Sequence, residues 1–466
     1  MAEPFRQAGE DGLRPDRCRV RQGAGRPDRR SGDHRVNAAP KPVSTGAACW
    51  TLFVLFLTNV FNVGDRTLLG VVTEPVRIEL SLSDTEISLA NGFLFVLFNL
   101  VGGLFIARFI DLGNRKRVLA LGLAGWSLAT AATGLAQDFA TLSIARIGVG
   151  LGEATAFPAA MSMIPDLFRQ ETRGRAVAVF QSSGMIGVVG GTIAAGVLAA
   201  ALGWRSMFLV CGAAGIALAA TLLLTVREPP RGDAAGSAPI GQRRYLADLH
   251  AACERALGMP GFVPLALTLG VAGIIGAVLG AWAPAYLQRS YGVPLAEVGL
   301  LIAPAVGLGG IAGTLVSGAL ADWLVRRRGR PVDMLRVPLV SLPLAVPFTA
   351  GFALAPTVAL AMVSAGAMNF CLTCAVPPCI NFAVNEADPR DRGVTATIML
   401  AVTGVIGGGL GPFMVGALSD MLAPRLGAES LRYAIAATIF TPMLATTFLF
   451  LAMRRASAGP LPMAAA

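Results

Sequence analysis

Two charged residues stand inside an apolar, glycine-rich stretch of the sequence, ARIGVGLGEATAFPAA at 145–160. Arg146 and Glu153 are seven residues apart, which is close to two helical turns, so both lie on one face, roughly 10 Å apart along the axis. Charges in such surroundings usually face a cavity or a partner. The residues alone leave two interpretations open: a pair that only locks neighbouring helices together, or a charged site in a transport pathway.

A second polar group stands in the first apolar stretch, at 47–72. Asn59, Asn62, Asp65 and Arg66 fall within roughly a third of the helical wheel, so they form one polar stripe. Two carboxylates and two guanidinium groups are therefore predicted inside the apolar part of the chain. When all four are ionised, the set is neutral.

The composition indicates whether this chain lies in water or in a lipid bilayer. Hydrophobic residues make up 54% of it, charged residues only 14%, and the mean hydropathy is +0.64. Soluble domains carry roughly 25% charged residues, so the sequence predicts a protein that crosses a lipid bilayer many times. The seven cysteines form no paired framework, and the two histidines lie in hydrophilic stretches. We therefore predict no metal site and no cofactor.

Twelve apolar stretches are each long enough to cross about 30 Å of hydrocarbon as a helix. A polar segment separates the first six from the last six. The fold class predicted is an all-α membrane protein with twelve transmembrane helices in two six-helix bundles. The predicted spans are 47–72, 83–110, 118–136, 140–167, 176–202, 204–226, 262–287, 296–321, 337–355, 357–384, 393–419 and 431–453. The predicted regions are a disordered tail (1–46), a first bundle (47–226), a linker (227–261), a second bundle (262–453) and a short tail (454–466).

The basic residues predict the orientation. With the N-terminus in the cytoplasm, the inner turns carry far more Lys and Arg than the outer turns, which hold only five such residues. This excess predicts that both termini lie in the cytoplasm. The membrane predicted is the inner (plasma) membrane. The excess also explains the net charge of +10 without a nucleic-acid partner. The five outer residues are Arg77, Arg205, Arg289, Arg425 and Arg432.

The two bundles share a repeated pattern. After the second span of each, a small residue is followed by an acid four positions later and then by a basic pair. TRG at 172–174 echoes DRG at 391–393, and Arg205 echoes Arg432, in each case in register. Two six-helix halves related by a repeat are the plan of secondary transporters. In the first of these repeated patterns, Ala107, Asp111, Arg115 and Lys116 of the first half correspond to Gly318, Asp322, Arg326 and Arg327 of the second.

These motifs resemble the major facilitator superfamily from about residue 47 to 453. The turn at 111–117 is similar to the signature between that family's second and third helices, although Leu112 and Asn114 depart from it. Asn114-Arg115-Lys116, GDRTLL around Asp65, RIGVGLGEA and DLF at 166–168 resemble the spinster branch. The resemblance implies a proton-linked or facilitative carrier, and the animal relatives of this branch move lysolipids and sphingoid lipids. It does not fix the substrate.

The two predicted halves differ in polarity. Mid-membrane charges lie only in the first half, whereas the second offers Trp282, Tyr286, Asn369 and Thr373 as cavity-lining residues, beside Asn59 and Asn62 of the first. A cavity with one charged wall and one apolar, aromatic wall suits an amphipathic or anionic solute. Trp282 and Tyr286 could instead anchor the helix at the membrane interface or pack between helices. Asn369 and Thr373 could instead form hydrogen bonds between helices.

The predicted mechanism is alternating access around a midplane site. An anionic substrate that competes for Arg66 or Arg146 would free Asp65 or Glu153 to take up a proton, which couples substrate to proton. A cytoplasmic gate would close the inside in the outward-facing state. The gate is predicted to comprise Asp111, Arg115, Lys116, Asp322, Arg326 and Arg327.

The sequence therefore predicts a secondary active transporter, proton-linked, for an amphipathic or anionic solute, with a lysolipid-like substrate favoured. Its partners would be that small-molecule or lipid-like substrate, protons and the lipid bilayer, and a monomer is expected. A carrier for small organic acids or drugs is the alternative within transport, and a non-transporting membrane receptor is the alternative outside it. A membrane-embedded enzyme is not expected, because the sequence shows no nucleophile–base pattern and no phosphate loop. Substrate identity, direction of transport and oligomeric state stay open.

Overall fold

The computed structural model describes residues 44–230 and 242–458, and within these ranges the regular structure is entirely helical. Ten segments of this part of the chain are long and apolar enough to cross a membrane. Residues 392–457 count among them as a single stretch of 66 residues, and the helix at 115–133 is not among the ten. The predicted total of twelve crossings is thus left as a prediction. The predicted tails lie almost wholly outside the described residues.

A helical segment coincides with each span predicted for the first half, although the third predicted span, 118–136, extends three residues beyond its helix. The helices are longer than the predicted spans at several ends, because polar turn residues continue the helical hydrogen bonding. The elements are α1 (Thr45–Val71), α2 (Thr73–Glu79), α3 (Asp84–Ser88), a π-helical segment (Leu89–Leu94), α4 (Phe95–Leu112), α5 (Arg115–Thr133), α6 (Phe139–Glu153), α7 (Ala156–Leu167), α8 (Gln170–Leu202) and α9 (Trp204–Thr225).

Helical segments likewise cover the spans predicted for the second half, after a surface helix in the predicted linker. The elements are α10 (Gln242–Gly258), α11 (Phe262–Tyr291), α12 (Leu295–Arg328), a 3₁₀ turn (Pro331–Leu335), α13 (Arg336–Leu354), α14 (Val358–Thr373), α15 (Val376–Glu386), α16 (Arg392–Val402), a π-helical segment (Thr403–Leu410), α17 (Gly411–Leu426), a 3₁₀ turn (Gly427–Glu429), α18 (Ser430–Ala436), a 3₁₀ turn (Ala437–Phe440) and α19 (Thr441–Ala458).

The fourth predicted span of each half is broken near its middle. α6 ends at Glu153 and α7 begins at Ala156, while α14 ends at Thr373 and α15 begins at Val376. A proline follows each break, Pro158 in the sequence ATAFP and Pro377 in the sequence TCAVP. A proline has no N–H for the carbonyl four residues earlier, so the helix is interrupted there. The break places Glu153 at a helix end, inside the bundle.

Glycines bring α1 and α8 into close contact. A Cβ atom added to Gly191 would lie 2.6 Å from the Cα of Gly64, and one added to Gly187 would lie 2.8 Å from the carbonyl oxygen of Val60. Neither distance is sterically possible, so only glycine allows this approach. Gly187 and Gly191 therefore act as helix-packing residues. α1, which carries the polar stripe, is thereby fixed against α8.

The Arg205 and Arg432 echo has the same structural consequence in both halves. Arg205 donates to the carbonyl oxygens of Gly134 at 3.1 Å and Ala136 at 2.6 Å, just beyond α5. Arg432 donates to two carbonyl oxygens at the end of α13, at 3.2 and 3.0 Å. Carbonyls at a helix C-terminus lack intrahelical partners, and a guanidinium group satisfies them. Each arginine thus ties the last span of its half to the third.

The buried apolar core shows where the halves meet. One cluster joins the second half to one end of α1, α8 and α9, around Leu69, Ala195 and Met207. A separate cluster fills the opposite end of the first half, around Leu119 and Met163. The halves therefore share a core at one end of the molecule and not at the other. We call the shared end the Arg289 face, formed by α2 and the turns at 80–83, 134–138, 292–294 and 427–429. The opposite end is the Arg115 face, formed by the turns at 113–114, 168–169, 226–230 and 329–335.

Candidate functional site: a buried charge cluster and two ionic faces

An ion pair joins α1 to the broken span formed by α6 and α7. The Nε atom of Arg66 lies 2.7 Å from the Oε2 atom of Glu153, and Arg66 also donates to the Asn62 side-chain oxygen at 3.2 Å. Asn62 donates in turn to the Glu153 carbonyl oxygen at 3.3 Å. The Glu153 side chain is completely buried, whereas the Arg66 side chain is 43% exposed. Arg66 is therefore the member of the pair that a solute can reach.

Arg146 lies behind this pair and has few partners. It is 1% exposed, and its Nε and Nη1 atoms bond to no described residue. The Oε1 atom of Glu153 is likewise buried without a hydrogen bond from the described chain. The Phe95 ring lies 5.5 Å from the Arg66 guanidinium carbon and 6.0 Å from that of Arg146, so it contacts both cations. Unsatisfied charged nitrogens at a buried site are costly, and a ligand with anionic oxygens would satisfy them.

Asp65 points away from its neighbour Arg66. Its Oδ2 atom accepts a hydrogen bond of 2.7 Å from Thr130 on α5, and the residue is 7% exposed. Successive residues are rotated by about 100° on a helix, so adjacent charges meet different helices. Asn59 donates to Ser183 on α8 at 2.7 Å. The single polar stripe predicted from the sequence thus contacts three different helices.

The aromatic residues predicted to line a cavity are packed inside the second half in this conformation. The Trp282 indole donates to the Pro412 carbonyl oxygen at 3.0 Å, and the Tyr286 hydroxyl donates to the Ala353 carbonyl oxygen at 2.8 Å. Both side chains are at most 1% exposed. Here they follow the packing interpretation, and a cavity-lining role would require another conformation.

Asn369 and Thr373 make hydrogen bonds within and between helices. Asn369 donates to the Val306 carbonyl oxygen of α12 at 2.8 Å, and Thr373 donates to the Asn369 carbonyl oxygen at 2.8 Å. A Cβ atom added to Gly310 of α12 would lie 3.3 Å from the Asn369 side-chain nitrogen and 3.2 Å from Met185 of α8. Asn369 therefore lies close to where α12 meets the first half.

A network of ion pairs joins the halves at the Arg289 face. Arg289 of α11 donates two hydrogen bonds to the Asp84 carboxylate, at 2.8 and 2.7 Å, and a third to Glu74 at 2.5 Å. The three side chains are only 11%, 5% and 12% exposed. Bidentate contacts of this kind are among the strongest polar interactions in proteins. The sequence analysis placed Arg289 only as an outer-turn charge and missed both acids.

The same face carries a second contact between the halves. The Asp420 carboxylate of α17 accepts hydrogen bonds from the backbone N–H groups of Asp84 at 3.0 Å and Thr85 at 2.8 Å. Ser419 donates to the Asp84 carboxylate at 2.6 Å. Ser83 and Glu86 form a capping box at this helix start. The carboxylate from one half therefore caps a helix of the other.

The ion pairs that Arg115 makes at the Arg115 face stay within the first half. Arg115 donates to the carboxylates of Asp166 and Glu228, the latter at 2.8 Å, and to the Pro229 carbonyl oxygen at 2.7 Å. Lys116 donates to the Val226 carbonyl oxygen at 2.7 Å. The sequence missed Glu228, because it lies in the polar segment assigned as linker. These contacts bind α5 to α7 and to the end of α9.

The other predicted gate residues make no ion pair across the halves in the described part of the chain. Asp322, Arg326 and Arg327 are exposed, and the Arg327 guanidinium lies 5.2 Å from the Trp323 ring. The side chain of Asp111 lies outside the described residues. The gate was predicted for the opposite conformation, so it stays a prediction.

The chain shows clear similarity to known transporters. The Major Facilitator Superfamily profile matches residues 55–412. An MFS-type efflux pump of Mycolicibacterium smegmatis is 31% identical over 392 residues, which are 82% of this chain and 87% of the pump. A probable L-galactonate transporter of Escherichia coli is 31% identical over 299 residues, 62% of this chain and 65% of the transporter.

A solved structure gives the corresponding match in three dimensions. It is the crystal structure of a bacterial homolog to the human lysosomal transporter Spinster, in an inward-facing and unoccupied conformation. It is 27% identical, with a TM-score of 0.80, and the match covers 91% of this chain and 100% of that one. The chain therefore belongs to the Major Facilitator Superfamily and, within it, resembles the spinster branch.

Proposed function

We propose that this protein is a proton-linked secondary transporter that works by alternating access on an amphipathic or anionic solute. One observation carries the proposal: the Arg66–Glu153 ion pair lies beside Arg146, a buried cation with two unsatisfied nitrogens. The pair also lies at a break in the helix, as in transporters whose binding sites use discontinuous helices. A carboxylate or phosphate that enters here would gain two guanidinium partners.

The coupling to protons follows from what such an anion displaces. If the substrate takes the Arg66 guanidinium, Glu153 loses the only partner of its Oε2 atom among the described residues. A buried carboxylate without a partner is less costly when it is neutral, so Glu153 would take up a proton. Asp65 is the second carboxylate of the set and would respond in the same way to movement of Arg146. Substrate and proton would then cross together.

The preference for an amphipathic solute rests on Phe95. Its ring covers both cations, so a solute that reaches them must pack apolar surface against this side chain. A lysolipid-like molecule has both the anionic group and the apolar chain. The second candidate is a small organic acid, and it is supported by the similarity to the L-galactonate transporter.

The proposed architecture is that of twelve spans in two six-helix halves, 47–226 and 262–453, in the inner membrane. The Arg289 face would be the outer one, and both termini would be cytoplasmic, because the basic residues concentrate at the Arg115 face. The described conformation would then be inward-facing, like the bacterial homolog of Spinster. The 111–116 and 322–327 turns would close the cytoplasmic side in the opposite state.

Transport by purified protein in liposomes tests the proposal, with a fluorescent lysolipid and labelled L-galactonate offered in parallel. We expect uptake of one of them to increase with an imposed pH gradient. Glu153→Gln should remove the response to the gradient, whereas the control Glu171→Gln, at an exposed position on α8, should behave like the wild type. A full gradient response in Glu153→Gln would refute the coupling. Specific binding without flux of either solute would favour a receptor.

A further inference from the structure

A crevice of about 310 Å³ opens on the flank of the first half, away from the Arg66–Glu153 pair. Its mouth lies between the middle of α8 and α9, where Gly190, Ala194, Val210 and Ala214 are exposed. It extends inward to α1 and α5. Because residues exposed on spanning helices contact lipid chains, the crevice is open to the hydrocarbon of the bilayer. The apolar walls include Val60, Phe61, Leu68, Trp126 and Leu198.

The inner end of the crevice carries the Asp65 carboxylate, which is the only charged lining group among the described residues. Thr130 holds Oδ2, but Oδ1 accepts no hydrogen bond from any residue in the described ranges. Asp65 as a whole is 7% exposed, so this is a buried acid with a free acceptor that borders a cavity. Arg146 and Arg66 attract this carboxylate electrostatically from inside the bundle, but neither donates a hydrogen bond to Oδ1 in the described structure. On the crevice side, where the lining is mostly apolar, a free acceptor is satisfied best by a charged N–H donor.

The size of the crevice indicates what fills it. An apolar cavity of about 150 Å³ in another protein stays dry and takes up benzene. The present crevice has room for a longer hydrocarbon chain. Within residues 44–230 and 242–458 no basic side chain lines it, so an anionic head group would find no partner there, whereas an ammonium group would meet the carboxylate.

We propose that this crevice is a binding site for a long-chain alkylamine, with the chain between α8 and α9 and the ammonium group donating to Asp65. The site shares only Asp65 with the proposed transport site, since its lining excludes Arg66, Arg146 and Glu153. It is reached from the bilayer and not from the space between the halves. Occupancy would neutralise Asp65, so a membrane amine would act on the charge set from outside the transport path.

Fluorescence quenching tests the site, because Trp126 forms part of its wall. A long-chain alkylamine that carries bromine at its tail should quench the protein saturably, and Trp126→Phe should remove the saturable part. A Cβ atom at Gly190 meets open space, so Gly190→Leu fills the crevice without a clash and should abolish saturation. Gly125→Leu is the matched control, since Gly125 is equally open but borders a different groove. Equal saturation in Gly190→Leu and Gly125→Leu would overturn the proposed location.

The head group is tested by Asp65→Asn, which keeps the shape of the side chain and removes its charge. We expect the brominated amine to bind about tenfold more weakly, because a charge-assisted bond is lost. The brominated methyl ester of the same chain length should bind equally to the wild type and to Asp65→Asn. If the amine also binds both proteins equally, Asp65 does not recognise the head group, and the amine assignment is wrong.

Discussion

Similar ion pairs at the two faces of the molecule connect different elements: the two halves at the Arg289 face, and helices of a single half at the Arg115 face. At the Arg289 face, the guanidinium of one half is bound to two carboxylates of the other. At the Arg115 face, an equally buried guanidinium is bound to two carboxylates of its own half. The first network must break if the halves separate at that end, whereas the second can persist through any movement of the halves. Only the first can therefore bias an equilibrium between two conformations.

This difference assigns distinct energetic roles to residues that look alike in the sequence. Arg115 and Arg289 each stand at a helix end and each pair with two acids. Loss of Arg115 should lower the stability of the first half in every conformation. Loss of Arg289 should mainly lower the stability of the conformation described here. The following variants separate the two effects.

The largest change in conformation is expected for Arg289→Ala. It removes the buried, bidentate cation of Asp84 and leaves the two acids only the partly exposed Arg77, which costs about 3 kcal/mol in the closed state of this face. That cost corresponds to a population shift of more than about a hundredfold. A cysteine at Ser88, which is 3% exposed here, should become reactive towards an impermeant maleimide.

Arg77→Ala is the control for this prediction. Arg77 contacts the same two acids, but its side chain is 30% exposed, and its contact with Asp84 is 3.7 Å. We expect at most a small rise in the reactivity of the cysteine at position 88. A folded Arg289→Ala protein with unchanged reactivity would show that these ion pairs do not hold the face closed.

Arg115→Ala should lower stability without a change in conformation. Its loss removes bonds to Asp166, Glu228 and Pro229, and about 2 kcal/mol of stability is expected to go with them. The melting temperature should fall, while the reactivity of a cysteine at position 88 stays at the wild-type level. Arg117→Ala is the control for a lost charge, because Arg117 lies two residues further along α5 and is exposed. Increased reactivity in Arg115→Ala would erase the distinction between the faces.

A smaller shift is expected for Asp420→Asn. The amide keeps one acceptor for the backbone N–H groups of Asp84 and Thr85 but loses the charge that favours a helix N-terminus. A cost of about 1 kcal/mol is expected, so the same maleimide assay should report an increase well below that of Arg289→Ala. An effect as large as that of Arg289→Ala would make the helix cap, rather than the ion pairs, the main contact between the halves.

The smallest effect is expected at the Arg255–Asp391 pair, which holds α10 to the start of α16. The hydrogen bonds from Arg255 lower the pKa of Asp391 below its ordinary value. Stabilisation from a lowered carboxylate pKa is present above the ordinary value and is lost only as the pH falls through the lowered one. The mobility of a spin label on Cys253 of α10 should therefore stay constant from about pH 5 to about pH 8.

Arg255→Ala should raise that mobility equally at every pH in this range. A pH-dependent release of α10 in the wild type would mean that this surface contact contributes to any proton response of transport. Constant mobility would leave the buried carboxylates as its source.

The positions of the apolar helices could be predicted from the sequence, because apolar periodicity and length constrain spanning helices strongly. Their ends could not, since α8, α12 and α17 extend six or seven residues beyond the predicted spans. The polar stripe of α1 was also found, but its division among three helices depends on packing partners that no single sequence specifies. The break after Glu153 has a signal in the sequence, Pro158, because a proline interrupts helical hydrogen bonding. The Arg289 network had none, since Glu74, Asp84 and Arg289 are distant in sequence and resemble ordinary turn charges.

Distances between spin labels across the two faces test the alternating-access account most directly. Cysteines replace Ile78 and Met421 at the Arg289 face, and Gln170 and Arg328 at the Arg115 face, all of which are exposed. The account predicts that Arg289→Ala lengthens the distance between labels 78 and 421 and shortens that between labels 170 and 328. Unchanged distance distributions at both faces, in a variant that folds and expresses normally, would contradict it.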